Sequence, residues 1–315
     1  MNPFPYSDTN KRYHTFDFFC RNHFGGKMIK IPLNAGLTCP NIDGTRGKGG
    51  CTYCSREGGG DFASSACMPV SEQFEQQKKI LSAKWPNAGY IAYFQAHTNT
   101  YAPLEKLLPL WNEALSCEGV RGLSIATRAD CLPDDILTAL EELGKKTDLT
   151  VELGLQTIHD KTAARINRCH TYAEFLESVR QLRKRGIHVC VHLINGLPGE
   201  TKEQMLESVQ AVSQLDIQAV KLHLLHVLRG TQLEKEWREG CVPLLSREEY
   251  VSLVCDQLEL LPSKIAIHRL TGDGDREKLL GPLWSRDKRA VLNEIDKELV
   301  RRGSMQGIRF SEKTE

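Results

Sequence analysis

"KMIKIPLNAGLTCPNIDGTRGKGGCTYC", residues 27–54, carries a strand-like stretch, KMIKIPL, straight into a glycine-rich loop with three cysteines, Cys39, Cys51 and Cys54. The loop is therefore expected at the C-terminal end of a first strand. That is the end at which parallel α/β sheets and barrels collect their ligands. Thiolates spaced C-x11-C-x2-C are metal ligands. Three of them suit an iron–sulfur cluster with one iron left for an external ligand, whereas structural zinc usually takes four protein ligands. Cys67 extends the pattern to C-x11-C-x2-C-x12-C, so spacing alone leaves a four-thiol zinc site open. Gly44, Gly47, Gly49 and Gly50 would let the long segment wrap closely around a cubane.

Downstream, strand and helix signals alternate. A helix is predicted from Ser71 to Lys84 on Phe74, Ile80 and Leu81, and YIAYF from Tyr90 reads as a strand. GLSIAT leads to a helix opened by Pro133 and closed by Gly144, followed by the strand LTVELGLQ. Thr171 with Glu174, and Thr201 with Gln204, are capping-box pairs that start two further helices on either side of the strand IHVCVHLIN. AVKLHLLHV, a helix from about Gln232 to Glu239, a capped helix after Ser246, the strand KIAIHRL and a charged last helix complete the chain. Six or seven strands alternating with helices imply right-handed βαβ units and a parallel sheet, either doubly wound or curled into a full or partial barrel. In either form the polar segments CPNIDG, QAHTNTY, TRAD, QTIHD, NGLPGET and HVLRGT meet at one end.

At 315 residues the chain suits one main domain with extensions, and 40% hydrophobic with 26% charged residues excludes wholesale disorder. A net charge of +1 removes any argument from overall basicity for a nucleic-acid or membrane partner. The N-terminus lacks the apolar run of a secretory signal and no stretch is long and apolar enough to span a bilayer, so the expected compartment is the cytoplasm. Eleven cysteines, an odd number spread along the chain, point to reduced thiols and metal chemistry.

Taken together, LTCPNIDGTRGKGGCTYC, YFQAHTNTYAP, ATRADCL, ELGLQTIHDKTAARINRCH, LINGLPGET and KLHLLHVLRGT make the sequence resemble the radical S-adenosylmethionine (SAM) enzymes. Within them it is similar to the YhcC/YtqA-type family, related to the Elp3 and oxygen-independent coproporphyrinogen oxidase branches. The resemblance implies an α/β fold, a partial (β/α)6 TIM-like barrel with N- and C-terminal extensions, divided as 1–27, 28–240 and 241–315. It implies a [4Fe-4S] cluster held by Cys39, Cys51 and Cys54, with SAM on the open iron, reduced by a flavodoxin- or ferredoxin-type donor to give a 5′-deoxyadenosyl radical. By similarity Arg168 meets the SAM carboxylate, Gln156 and His192 the ribose, and Glu152 the amino group, with Tyr53 beside the cofactor. The chain departs from the family where relatives carry a Gly-Gly-Glu-like turn: here it reads QAHTNTY, and backbone carbonyls or Thr98 and Asn99 would take over those amino-group contacts. Ala126 likewise stands where many relatives place Glu.

The resemblance further implies action on a tRNA wobble uridine, removing the carboxymethyl part of a carboxymethylaminomethyl side chain to leave aminomethyl. NKRYHTFDFFCRNHFGGK mixes Lys11, Arg12, Arg21 and Lys27 with Tyr13, Phe16, Phe18 and Phe19, a composition suited to phosphates and a stacked base or, equally, to a hydrophobic flap over the barrel. Two other readings stand beside it: a radical SAM enzyme on a small metabolite or peptide, and a zinc-stabilised α/β binding protein.

Overall fold

The strands alternate polar and apolar residues in a way that assigns each face. Ile31, Leu33, Val151, Leu153, Val189 and Val191 are buried in one large apolar core. Their neighbours Lys30, Glu152, Cys190 and His192 are turned to the opposite face, as a period of two requires. The structure is a computed structural model that describes residues 2–60, 63–272 and 274–312. Its strands are β1 (Met28–Leu33), β2 (Gly89–Phe94), β3 (Val120–Thr127), β4 (Asp148–Gln156), β5 (His188–Asn195), β6 (Ala219–Leu224), β7 (Val227–Leu228), β8 (Ala266–Arg269) and β9 (Leu279–Gly281). Its helices are α1 (Phe16–Phe24), α2 (Val70–Ser82), α3 (Leu104–Ser116), α4 (Asp134–Gly144), α5 (Asp160–Arg165), α6 (Tyr172–Lys184), α7 (Lys202–Ser213), α8 (Gln232–Arg238), α9 (Arg247–Leu260) and α10 (Lys288–Arg301).

Seven strands form one sheet in the order β1-β2-β3-β4-β5-β6-β8, every neighbouring pair parallel. The sheet curls into a half-barrel, with helices on its apolar outer face and a polar lumen within. The small β7–β9 pair is antiparallel and separate. Local chemistry fixes the helix starts: α6, α7 and α9 each open on a complete capping box, Thr171 with Glu174, Thr201 with Gln204 and Ser246 with Glu249.

The N-terminal segment lies elsewhere than a substrate-binding flap requires. Helix α1 packs against both edge strands, β1 and β8, at the end of the barrel remote from the cysteine loop. There Phe24 joins Met28 and Ile91, and Phe19 joins Cys190, Ala219 and Ala266. The Phe16 ring sits 4.3 Å from that of His268. The cations of this segment find protein partners: Lys11 pairs with Asp296, Arg21 with Asp8 at 2.5 Å and Asp17 at 3.0 Å, Lys27 with Asp17 at 2.6 Å, and Arg12 donates to the Ser304 carbonyl at 3.2 Å. The expected phosphate-binding arm is a plug in the barrel floor, because its aromatic residues bury more surface there than in solvent.

Candidate active site

The cysteine loop is held in shape by hydrogen bonds before any ligand is considered. The Cys39 carbonyl accepts from Ile42 at 2.8 Å, and the Cys51 carbonyl accepts from Cys54 at 3.0 Å, a tight turn that turns both thiols of the pair the same way. Gly49 and Gly50, at φ 79° and 80°, take left-handed conformations that a side chain would resist. Asn41 and Asn167 lace the loop to the segment after α5. Asn41 Nδ2 donates to the carbonyls of Asn167 (2.5 Å) and Arg168 (3.0 Å), while Asn167 Nδ2 donates to those of Gly50 (2.7 Å) and Lys48 (3.1 Å). A Cβ added at Gly47 would come within 2.7 Å of Cys169 Sγ, so the two segments are in closest packing.

Cys39, Cys51 and Cys54 line one wall of a cavity of about 570 Å³ that opens at the C-terminal ends of the strands and reaches down into the lumen. The thiol of Cys54 and the guanidinium of Arg128 pull the Cys51 thiol down to about 7, against the effect of burial. Cys54 is pushed up in turn, chiefly by its bond to Cys51. One of the two is thus poised as a thiolate near neutral pH.

Tyr53, Thr98, Glu152, Gln156, Arg168 and His192 all line this cavity. Asn99 does not. Its amide donates to the carbonyls of Phe94 at 3.2 Å and Ala126 at 2.9 Å, which ties the β2 and β3 loops together behind the wall. Gln156 ends β4 at φ 66°, a strained conformation for a residue with a side chain, and its buried Oε1 has no hydrogen-bond partner. Arg168 is 1% exposed, and its guanidinium is spent on the backbone. It donates to the carbonyls of Thr157 (2.6 Å), His170 (2.7 and 3.1 Å) and Leu155. It brings a fixed positive charge to the wall and holds the β4–α5 turn, with its hydrogen-bonding groups turned to the protein. Glu152 is completely buried, and its carboxylate accepts from Lys30, Lys221, Ser124 (2.8 Å) and His192 (2.8 Å). Both carboxylate oxygens thus have partners within the protein, in a buried ion-pair network.

Several site residues lie inside the family motifs without a role of their own assigned there. Arg128 lies beside the thiols and is fixed by a fork of bonds to Asp130 at 2.9 and 2.8 Å. Tyr93, Lys221 and His223 line the lower cavity. Their signal is a polar residue at the inward register of an apolar strand, as in GYIAYF and AVKLHL. Among the described residues, the one set of three His, Cys, Asp or Glu ligand atoms within 4.8 Å of one another is Glu152, Cys190 and His268. The ammonium of Lys30 pairs with Glu152 and stands 3.5 Å from His268 Nδ1, where a cation would sit.

A family profile described as the Radical SAM superfamily matches residues 42–212, and one described as the Radical SAM C-terminal domain matches 217–301. The chain belongs to the radical SAM superfamily. It is 51% identical to the Bacillus subtilis protein YtqA over 309 residues, 98% of this chain and 96% of that one. It is 36% identical to Escherichia coli YhcC over 281 residues, 89% of this chain and 90% of that one. A Methanocaldococcus jannaschii tRNA uridine(34) acetyltransferase is 26% identical over 154 residues, 48% of this chain and 28% of that one. Among solved structures, the archaeal Elp3 of Methanocaldococcus infernus covers the same fold with a TM-score of 0.66 at 16% identity, over 89% of this chain and 64% of that one. A radical SAM enzyme works with a [4Fe-4S] cluster and SAM.

This chain's residues fit both groups. A single tetrahedral zinc with bonds of about 2.3 Å draws its sulfurs to within about 4 Å of one another. The three loop thiols do not all lie within 4.8 Å of one another, although Cys51 and Cys54 are hydrogen-bonded to each other, and all three face the cavity. Cys67 is exposed and not part of the cavity wall. The unpartnered Gln156 Oε1 is an acceptor suited to a ribose hydroxyl, and the cavity lies within the range of about 300–1,000 Å³ usual for small-molecule sites. No helix among the described residues is long and apolar enough to cross a membrane.

Proposed function

We propose that Cys39, Cys51 and Cys54 hold the cluster and that the cavity beneath them takes SAM and the reacting end of a tRNA wobble uridine, from whose carboxymethylaminomethyl side chain the carboxymethyl part is removed. Cluster and SAM together supply reductive cleavage of the sulfonium to methionine and a 5′-deoxyadenosyl radical. The chain supplies the rest. Gln156 Oε1 accepts from the ribose, Tyr53 and Thr98 shape the cofactor wall, and Arg128 and Arg168 give that wall the positive charge a carboxylate needs. The ion network of Lys30, Lys221 and Glu152 underlies the cavity. A flavodoxin- or ferredoxin-type donor is the reductant.

The observation that carries the tRNA reading is the rim. Lys48, Arg56, Arg229 and Arg276 are exposed on the loops around the mouth, beside the cavity-lining Gly49, Ser55, Gly230 and Gly274. Basic side chains in that position suit the phosphates of an anticodon loop whose flipped base enters the cavity. The likeness to a tRNA uridine(34) acetyltransferase over about half the chain supports the same substrate class.

Nucleoside analysis of tRNA from a deletion strain tests this reading. In a host that makes carboxymethylaminomethyluridine and has no redundant route, that nucleoside is expected to persist and the aminomethyl forms to fall. An unchanged profile contradicts the tRNA assignment.

A further inference from the structure

Two lysines share one carboxylate at the base of the cavity. Lys30 on β1 and Lys221 on β6 both pair with Glu152, with side chains 15% and 6% exposed against 0% for the glutamate. Ser124 and His192 complete the coordination of the carboxylate. Arg269, on the same wall, adds to the positive field felt by Lys221 and His223. Burial and these cations press the histidines toward their neutral form, so they add no charge to that of the lysines.

The geometry also leaves a polar atom waiting. His223 Nε2 is buried without a hydrogen-bond partner, although the ring lines the cavity and stands 5.2 Å from that of His192. Lys221 is held toward the cavity by the Tyr93 hydroxyl at 3.1 Å and lies over the Tyr93 ring at 4.6 Å.

We propose that Lys221 and His223 form an anion subsite at the cavity floor that takes a carboxylate of the substrate. This rests on the reading of the cavity as the reaction site, and it gives the substrate a chemical class independent of whether it is a tRNA. The local surplus around Glu152 is one positive charge, which a monoanionic carboxylate matches and a phosphate dianion overshoots. His223 Nε2, as the protonated tautomer, donates to one oxygen, and the ammonium of Lys221 faces the other.

The test uses the full chain, cluster-loaded and with SAM bound, labelled with ¹⁵N-histidine and titrated separately with sodium acetate, acetamide and inorganic phosphate. His223→Gln identifies the resonance. Acetate is expected to shift the His223 signal saturably, acetamide and phosphate not, and Lys221→Met to weaken acetate at least about tenfold, as loss of a charge-assisted bond does. Absence of a saturable acetate shift in the wild type overturns the subsite. An equal response to phosphate overturns the carboxylate assignment. If Lys221→Met does not fold, Glu152→Gln with Lys221→Met removes both charges together and serves in its place, and the wild-type titration decides in any case. Saturable acetate with an unchanged tRNA nucleoside profile would retain the subsite and discard only the wobble-uridine reading.

Discussion

Glu152 on β4 and Lys221 on β6 form a buried ion pair that reaches past β5, and His192 of the intervening strand donates to the same carboxylate at 2.8 Å. The pair joins three parallel strands across the lumen and forms the floor on which the cavity rests.

Glu152→Gln is expected to destabilise the chain by about 3–5 kcal/mol, because it leaves Lys30 and Lys221 buried around a neutral amide. Adding Lys221→Met should recover part of that loss, since the double variant buries one charge fewer. Urea denaturation of the two single variants and the double variant checks this, and simple additivity would contradict it.

Arg168→Ala should cost about 3 kcal/mol or more of stability, with Arg168→Lys close to it. The bonds to Leu155, Thr157 and His170 need a guanidinium fork, and buried carbonyls are left unmet without it. The same denaturation experiment reads the effect. A fully stable Arg168→Ala chain with weakened SAM binding would return Arg168 to the role of a direct carboxylate ligand.

Acid should loosen the fold well above the range where carboxylates titrate. Burial, with the charge of Lys221, pushes His192 down from 6.5 to about 4. Burial, with Arg168, does the same to His170. Their folded-state values lie below the unfolded ones, so the unfolded chain takes up protons first as pH falls. The stability they confer is complete above about pH 6.5 and is lost down to about pH 4. His192→Gln, which keeps an N–H for Glu152, should flatten the slope of stability between pH 6 and 5 by up to about 1.4 kcal/mol per pH unit. An unchanged slope would show that His192 is not held neutral.

Much of this fold is legible in the chain because its signals are local. Capping boxes at Thr171, Thr201 and Ser246 lie within four residues, and the strands announce themselves by apolar runs. The cysteine spacing is equally local. Helix α3 is less legible, since Pro109 lies within it and argues against a helix interior. What stays hidden depends on closure. Lys30 and Glu152 are 122 positions apart, and only the curl of the sheet shows that they meet. The same holds for α1, whose aromatic and basic composition fits an RNA-binding arm until its docking on β1 and β8 shows where the aromatic residues go. Arg168 depends on closure in the same way: the resemblance gives it to the SAM carboxylate, and only the folded chain shows the β4–α5 carbonyls that bond its guanidinium.

Serine at Cys39, Cys51 or Cys54 should each abolish cluster assembly, while Cys67→Ser, at an exposed position away from the cavity, should retain it. Iron and sulfide analysis after anaerobic reconstitution checks this. Metal loss in the Cys67 variant would restore the four-thiol zinc site.

The assignment of cluster and SAM to this cavity is tested by 5′-deoxyadenosine formation by the anaerobically reconstituted wild-type chain supplied with SAM and dithionite. A brown protein with about four irons per chain that releases 5′-deoxyadenosine and methionine is expected on that assignment, together with a Cys51→Ser variant that releases neither. A colourless wild-type protein carrying stoichiometric zinc, or an iron-loaded one that leaves SAM intact under these conditions, would contradict it.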